Sequence, residues 1–385
     1  MSSAASHLYS DQPLEGGDQQ AATSRTLISP VWDFLLLGGG SLIVLGVIAC
    51  LLPPTSDMAP VAASTLFIAN FVNHPHFAHS YQLFYRNFGA RAFGDAFAPV
   101  MRVRYLFAAI AAPLALITFL GYCIDQGNAR LLGFAANGMF LLVGWHYVKQ
   151  GYGILMTDAA LKRSFFSRPQ KNILLANAYL CWSCSWLLAN HTFKQKDYWG
   201  ISYYALGIPD WLLSAALLAT LISTISALTV FSAMFRRRPL RDLPITGGAA
   251  YFTSLYVWLL IRHPALLLVI PAFHSLQYLV VVWRYRINFE HARENDPKLP
   301  FAKNHHRSKL RFALFLLTGF ILGYTGFWLI PEWLDGNIPY DKALLGTTPF
   351  FLATWVFINV HHYFIDNVIW RKDNPDTRQF LFGAK

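Results

Sequence analysis

Apolar runs long enough to cross a bilayer recur along nearly the whole chain, and they constrain the fold more than any motif does. A transmembrane helix needs about 20 predominantly apolar residues, and ten such segments can be placed: 31–52, 60–85, 103–124, 131–157, 172–193, 208–235, 244–262, 264–285, 311–331 and 344–370. In lipid each backbone polar group must be satisfied within its own element, so runs of this length predict helices. Only 13% of the 385 residues are charged, against about a quarter in soluble domains, and mean hydropathy is +0.36. The expected fold is an all-α, polytopic integral membrane helical bundle of about ten transmembrane helices.

Loop charge sets the orientation. Of the 31 lysines and arginines, 25 fall in alternate loops and the two tails, five fall on the opposite side, and Lys149 lies within a span. The positive-inside rule then places both termini in the cytoplasm, in a membrane of the bacterial inner-membrane type. The loop from Arg284 to Arg311 alone carries eight basic residues, so the net charge of +11 reads as inside loops near anionic lipid. No nucleic-acid partner is expected. Residues 1–29, rich in Ser, Gln and Gly, read as a flexible polar cytoplasmic tail, 30–371 as the transmembrane domain, and 372–385 as a short cytoplasmic tail. Cys50, Cys123, Cys181 and Cys184 all lie in apolar segments, which excludes a secreted disulfide framework. The Cys181-Trp-Ser-Cys184 spacing is metal-like, but small buried thiols are common in apolar helices.

The histidines are placed unevenly. Seven of the thirteen (His74, His76, His79, His146, His274, His361 and His362) lie inside spans two, four, eight and ten, which all run from outside to inside. His76, His274 and His361 each precede by ten residues the arginine of an aromatic–arginine pair: Tyr85-Arg86, Trp283-Arg284 and Trp370-Arg371. Such pairs mark the interface, and ten residues of helix rise about 15 Å. His146, twelve residues before Asp158, has similar depth. Polar rings in hydrocarbon cost free energy and mark function when they recur at one level.

The expectation is a metal site drawn from His74, His76, His79, His146, His274, His361, His362 and Asp366. His76 and His79 share a helical face, which His74 does not; Asp366, four residues after His362, either ligates or orients its imidazole. Tyr81, Gln150 and Gln277 are the candidate catalytic groups, placed to hydrogen-bond substrate or oxygen. Imidazoles with one carboxylate suit iron, zinc, copper or manganese. Iron ranks first, mononuclear or dinuclear, with Asp366 as a bridge in the second case. Haem between facing helices is the alternative, although it needs fewer histidines.

The clusters His76-x-x-His79 and Asn359-Val-His361-His362 resemble diluted histidine boxes of integral-membrane fatty-acid desaturases and alkane hydroxylases. Those families hold two irons with HxxxH and HxxHH boxes, and neither pattern occurs here. The spread of single and paired histidines over several helices is also similar to the bacterioopsin-related carotene dioxygenases, polytopic enzymes that bind one iron through histidines. Both resemblances imply oxygen chemistry. The expected function is a membrane-bound, metal-dependent oxidoreductase: an oxygenase, hydroxylase or desaturase. It would act on a lipophilic small molecule, amid membrane lipid and with a cytoplasmic electron donor. Two alternatives are a haem protein exchanging electrons with quinone, and a transporter using the histidines as a metal or proton path. The outer halves of spans two, four and eight are nearly apolar, which points to a site closed to the outside.

Overall fold

A computed structural model describes residues 25–51, 59–192, 195–260, 269–294 and 305–382. His7, His263, the 262–264 junction, residues 1–24 and 383–385 of the tails, and 295–304 of the basic loop lie outside the described residues. The described chain is helical almost throughout. Helices α1 (Pro30–Phe34) and α2 (Gly40–Leu51) are joined by a π-helical turn, and are followed by α3 (Ala59–Ala69), α4 (Asn73–Tyr85) and α5 (Phe88–Phe93). Helices α6 (Pro99–Leu106) and α7 (Ala112–Asp125) join through the π-helical turn Phe107–Ala111, and α8 (Ala129–Leu161) and α9 (Arg168–Thr192) follow. A hairpin of β1 (Gln195–Tyr198) and β2 (Ile201–Tyr204) leads to α10 (Asp210–Arg237), α11 (Ile245–Leu260) and α12 (Val269–Glu294). Helix α13 (His305–Tyr324) passes through a third π-turn into α14 (Ile330–Asn337), ahead of α15 (Lys342–Leu345), α16 (Pro349–Ile369) and α17 (Pro375–Phe382).

Six helical stretches among the described residues are long and apolar enough to cross a membrane: Pro30–Ile48, Pro99–Asp125, Ala129–Leu161, Arg168–Thr192, Asp210–Arg237 and His306–Asn337. The expected second span is not one helix; it breaks at residues 70–72 between α3 and α4. Three of the four histidine-bearing helices are missing from the six. Helix α4 has only 13 residues. Helix α12 is described only from Val269, so the apolar residues 264–268 of the expected span lie outside the described residues, while in α16 Asn359, His361, His362 and Asp366 lower the hydropathy. These helices are sheltered by protein instead: α4 packs on α13, α16 and α12, and α16 packs on α8. Helix α8, begun by the Asn128 cap on Leu131 N at 3.0 Å, is half buried over its apolar window, against 22–28% for the other five. It is the central pillar.

Two features fix α4. Gly319 and Gly323, one turn apart on α13, let the backbones approach: a Cβ at Gly323 would lie 2.8 Å from the His74 carbonyl carbon, and one at Gly319 2.2 Å from the His79 ring. Small residues at this spacing are the usual device for close helix packing in membranes. Gly323→Val is expected to destabilise the protein by about 1–3 kcal/mol through overpacking, read as a lower unfolding midpoint in detergent. At the C-terminal end of α4, Arg91 donates to Leu83 O at 2.7 Å and is paired with buried Asp376 of α17, which folds back onto α12. At the opposite end the hairpin turn seats Trp199 against Phe351 and Trp355, ring centroids 4.7 and 5.2 Å away, while Thr348 Oγ1 donates to Trp199 O at 2.8 Å. Among the described residues the four cysteines are free thiols, Cys123, Cys181 and Cys184 buried.

Candidate metal centre

His76, His146 and His362 converge from α4, α8 and α16, each offering a ring nitrogen within 4.8 Å of the other two. All three are buried. His76 Nε2 and His362 Nε2 are 3.1 Å apart. Asp366 Oδ2, one turn beyond His362 on the same helix, lies 3.3 Å from His362 Nε2 and 3.6 Å from His146 Nε2. Nitrogens each about 2.0–2.1 Å from one ion at coordination angles of 90–110° sit roughly 3.0–3.4 Å apart. The observed separations fall close to that range.

The hydrogen bonds orient this set. His76 Nδ1 donates to Asn73 O at 3.0 Å and lies 3.1 Å from Ser275 Oγ, whose own proton goes to Asn73 Oδ1 at 2.8 Å. That tautomer leaves Nε2 with its lone pair facing His362. Tyr278 OH donates to Asp366 Oδ1 at 2.8 Å and meets Ser80 Oγ at 2.5 Å and Trp370 Nε1 at 3.2 Å. Asp366 is thus held through one oxygen and presents the other. Oδ2 has no hydrogen-bond partner, and neither do His146 Nε2, His362 Nδ1 or either nitrogen of His274. Unsatisfied buried polar atoms cost about 1–3 kcal/mol each, so His146 Nε2 and Asp366 Oδ2, both unpartnered and 3.6 Å apart beside His362 Nε2, fit a cation. The donor set of three imidazoles and one carboxylate suits iron, zinc, copper or manganese.

The other expected residues divide. His274, on α12, sits beside the set, its ring 4.9 Å from that of His146 and 5.3 Å from that of His76, and stacks on Tyr147 at 3.8 Å. Gln150 Nε2 donates to His274 O at 2.9 Å and to Gln277 Oε1 at 3.1 Å, so both glutamines border His274. The structure does not bring His361, His79 or His74 into the set. His361 faces the α6–α7 junction: Nε2 donates to Ala108 O at 2.8 Å and Nδ1 accepts from Tyr81 OH at 2.8 Å. The cause is local. In the π-turn Ala112 N bonds Phe107 O, and the next residue, Pro113, has no N–H, so the Ala108 carbonyl is free for an outside donor. His79 stacks on Phe315 at 4.3 Å and its Nδ1 contacts Gln82 Oε1 at 2.7 Å. His74 stacks on Phe327 at 4.3 Å with no partner for either nitrogen.

Sequence reading missed Tyr278, Ser80 and Ser275, and their polar types in apolar helices were the available signal. Tyr278→Phe is expected to weaken metal binding about 10–100-fold without unfolding the protein, as is usual for groups that orient a ligand; competition with a chelator measures it. Comparison with family models, curated proteins and solved structures returned no match.

Proposed function

We propose that this chain holds one metal ion, iron first among the candidates, between helices α4, α8 and α16, and uses it to oxidise a lipophilic substrate within the membrane. The reading includes ten spans with both termini in the cytoplasm of a bacterial inner membrane, supported by the alternating loop charge. The observation that carries it is the convergence of buried His76, His146, His362 and Asp366, with His146 Nε2 and Asp366 Oδ2 left without a hydrogen-bond partner. His76, His146, His362 and Asp366 are the ligands, His274 stands ready as a further one, and Tyr278 positions Asp366. The close packing of the rings, 4.7 Å between His76 and His362 and 5.0 Å between His146 and His362, favours an ion over haem because it leaves no slot for a macrocycle.

His76, His146, His362 and Asp366 would hold ferrous iron, which when bound would supply the oxygen chemistry that unactivated C–H or C=C bonds require. The protein's share is to exclude water, align the chain and hold protons. In a hydroxylation one oxygen atom enters the substrate and the other leaves as water, with two electrons and two protons from a cytoplasmic donor. Tyr278, on Asp366 Oδ1 at 2.8 Å, and Ser275, 3.1 Å from His76 Nδ1, are protic side chains that touch the ligands, and the Gln150–Gln277 pair borders His274 beside them. A haem–quinone role loses support from the ring packing, and a transport path from the nearly apolar outer halves of spans two, four and eight. The test is anaerobic loading with ferrous iron, then a reductant, air and total membrane lipid. Wild type is expected to yield a lipid product gaining one oxygen or losing two hydrogens, and His362→Ala is expected to yield none. Equal product from both would exclude the reading.

A further inference from the structure

A second charged assembly lies at the far end of α4, ten residues from His76, where the sequence places the inner membrane interface. The Arg86 guanidinium carbon stands 3.8 Å from the ring centre of Phe289, and that of Arg286 stands 5.2 Å from the same ring. Arg91 is committed to Asp376 in a close ion pair and donates to Leu83 O at 2.7 Å. Glu290 is shared, taking Arg286 NH2 at 2.6 Å and Arg311 Nε at 2.6 Å. Among the described residues, the four guanidiniums of Arg86, Arg91, Arg286 and Arg311 therefore share the two carboxylates of Asp376 and Glu290. The exposed Arg293 also lies near Phe289, at 5.7 Å.

These charges are not simply solvated. The Arg86 side chain is 15% exposed and that of Arg286 12%. Arg86 NH2 donates to Tyr285 OH at 2.8 Å and lies 3.6 Å from Asp376 Oδ2, but its Nε and NH1 are buried with no partner, as is Arg286 Nε. Buried charges that must share a counter-charge, as Arg86 shares Asp376 with Arg91 and Arg286 shares Glu290 with Arg311, are incompletely compensated, and the planar donor fork of arginine matches a phosphate. We infer that Arg86 and Arg286 bind the phosphate of an anionic membrane lipid at the inner interface, with the acyl chains outside the bundle. This does not rest on the metal reading.

The probe is phosphatidic acid added to delipidated, detergent-purified full-length protein, with phosphatidylcholine and inorganic phosphate as separate arms and unfolding midpoint and native mass as readouts. Phosphatidic acid is expected to bind and raise the midpoint where the other two do not. Arg86→Gln and Arg286→Gln are each expected to weaken it roughly 10–100-fold, the cost of losing one charged hydrogen-bond partner. Glu290→Gln removes a competing carboxylate and should tighten binding, which keeps the test open if either arginine variant fails to fold. Arg236→Gln, on the exposed end of α10, should change nothing. Unchanged affinity in Arg286→Gln and Glu290→Gln, or an equal response to phosphatidylcholine, would overturn the inference. A full response to inorganic phosphate alone would overturn the lipid as its source.

Discussion

His362→Ala is expected to leave detergent-purified protein without stoichiometric metal. His362 Nε2 is the hub of the set, 3.1 Å from His76 Nε2 and 3.3 Å from Asp366 Oδ2. Removing it takes away one ligand and also the nearest neighbour of two others. Loss of a residue that merely orients a ligand costs about 10–100-fold in affinity, and loss of the ligand itself should exceed that. His361→Ala, one residue away, is the built-in control. Both nitrogens of His361 are engaged by Ala108 O and Tyr81 OH, so that variant is expected to keep its metal. Elemental analysis of the two variants, purified in parallel, separates a site at His362 from a general effect of removing buried imidazole.

Asp376→Ala is expected to cost about 3–5 kcal/mol, the usual effect of breaking a buried ion pair from one side. Asp376 and Arg91 have side chains 7% and 5% exposed. Removing the carboxylate strands Arg91 and takes from Arg86 the acid they share. The short helix α17, which carries Asp376, should detach from α12. Chemical denaturation in mild detergent reads the loss, and protease sensitivity after Ile369 reads the detachment. Arg91→Ala leaves the acid buried instead and should fall in the same range. A loss below about 1 kcal/mol in both would mean that the pair is open to water.

The helical architecture was legible because apolar runs of bilayer length leave the backbone few alternatives. The break between α3 and α4 was less so: residues 70–72 interrupt the helix ahead of Pro75, in a stretch whose hydropathy is nearly continuous. That His76 and His274 share a level agrees with their rings lying 5.3 Å apart; azimuth was not legible. Counting back from the aromatic–arginine pairs placed His76, His274 and His361 at one height, but a helix turns about 100° per residue. In α16 the residue that reaches the set is therefore His362, while His361 turns toward α6 and α7. Its acceptor there exists only because the π-turn and Pro113 together free one carbonyl, which hydrophobic pattern does not report. The Arg91–Asp376 pair joins positions 285 residues apart, and charge counting assigned both to inside segments without linking them. The Gly319-x-x-x-Gly323 spacing, a close-packing face, went unread in the sequence. Its partner, the histidine helix, became visible only with the fold.

The central claim is that histidines from α4, α8 and α16, with Asp366, hold one metal ion. X-ray absorption at the metal edge of purified wild-type protein, with metal content measured on the same sample, tests it most directly. One ion per chain is expected, with only nitrogen and oxygen neighbours at roughly 2.0–2.2 Å and outer-shell scattering from about three imidazoles. Sulfur neighbours, a porphyrin signature, or no stoichiometric metal after reconstitution would contradict it.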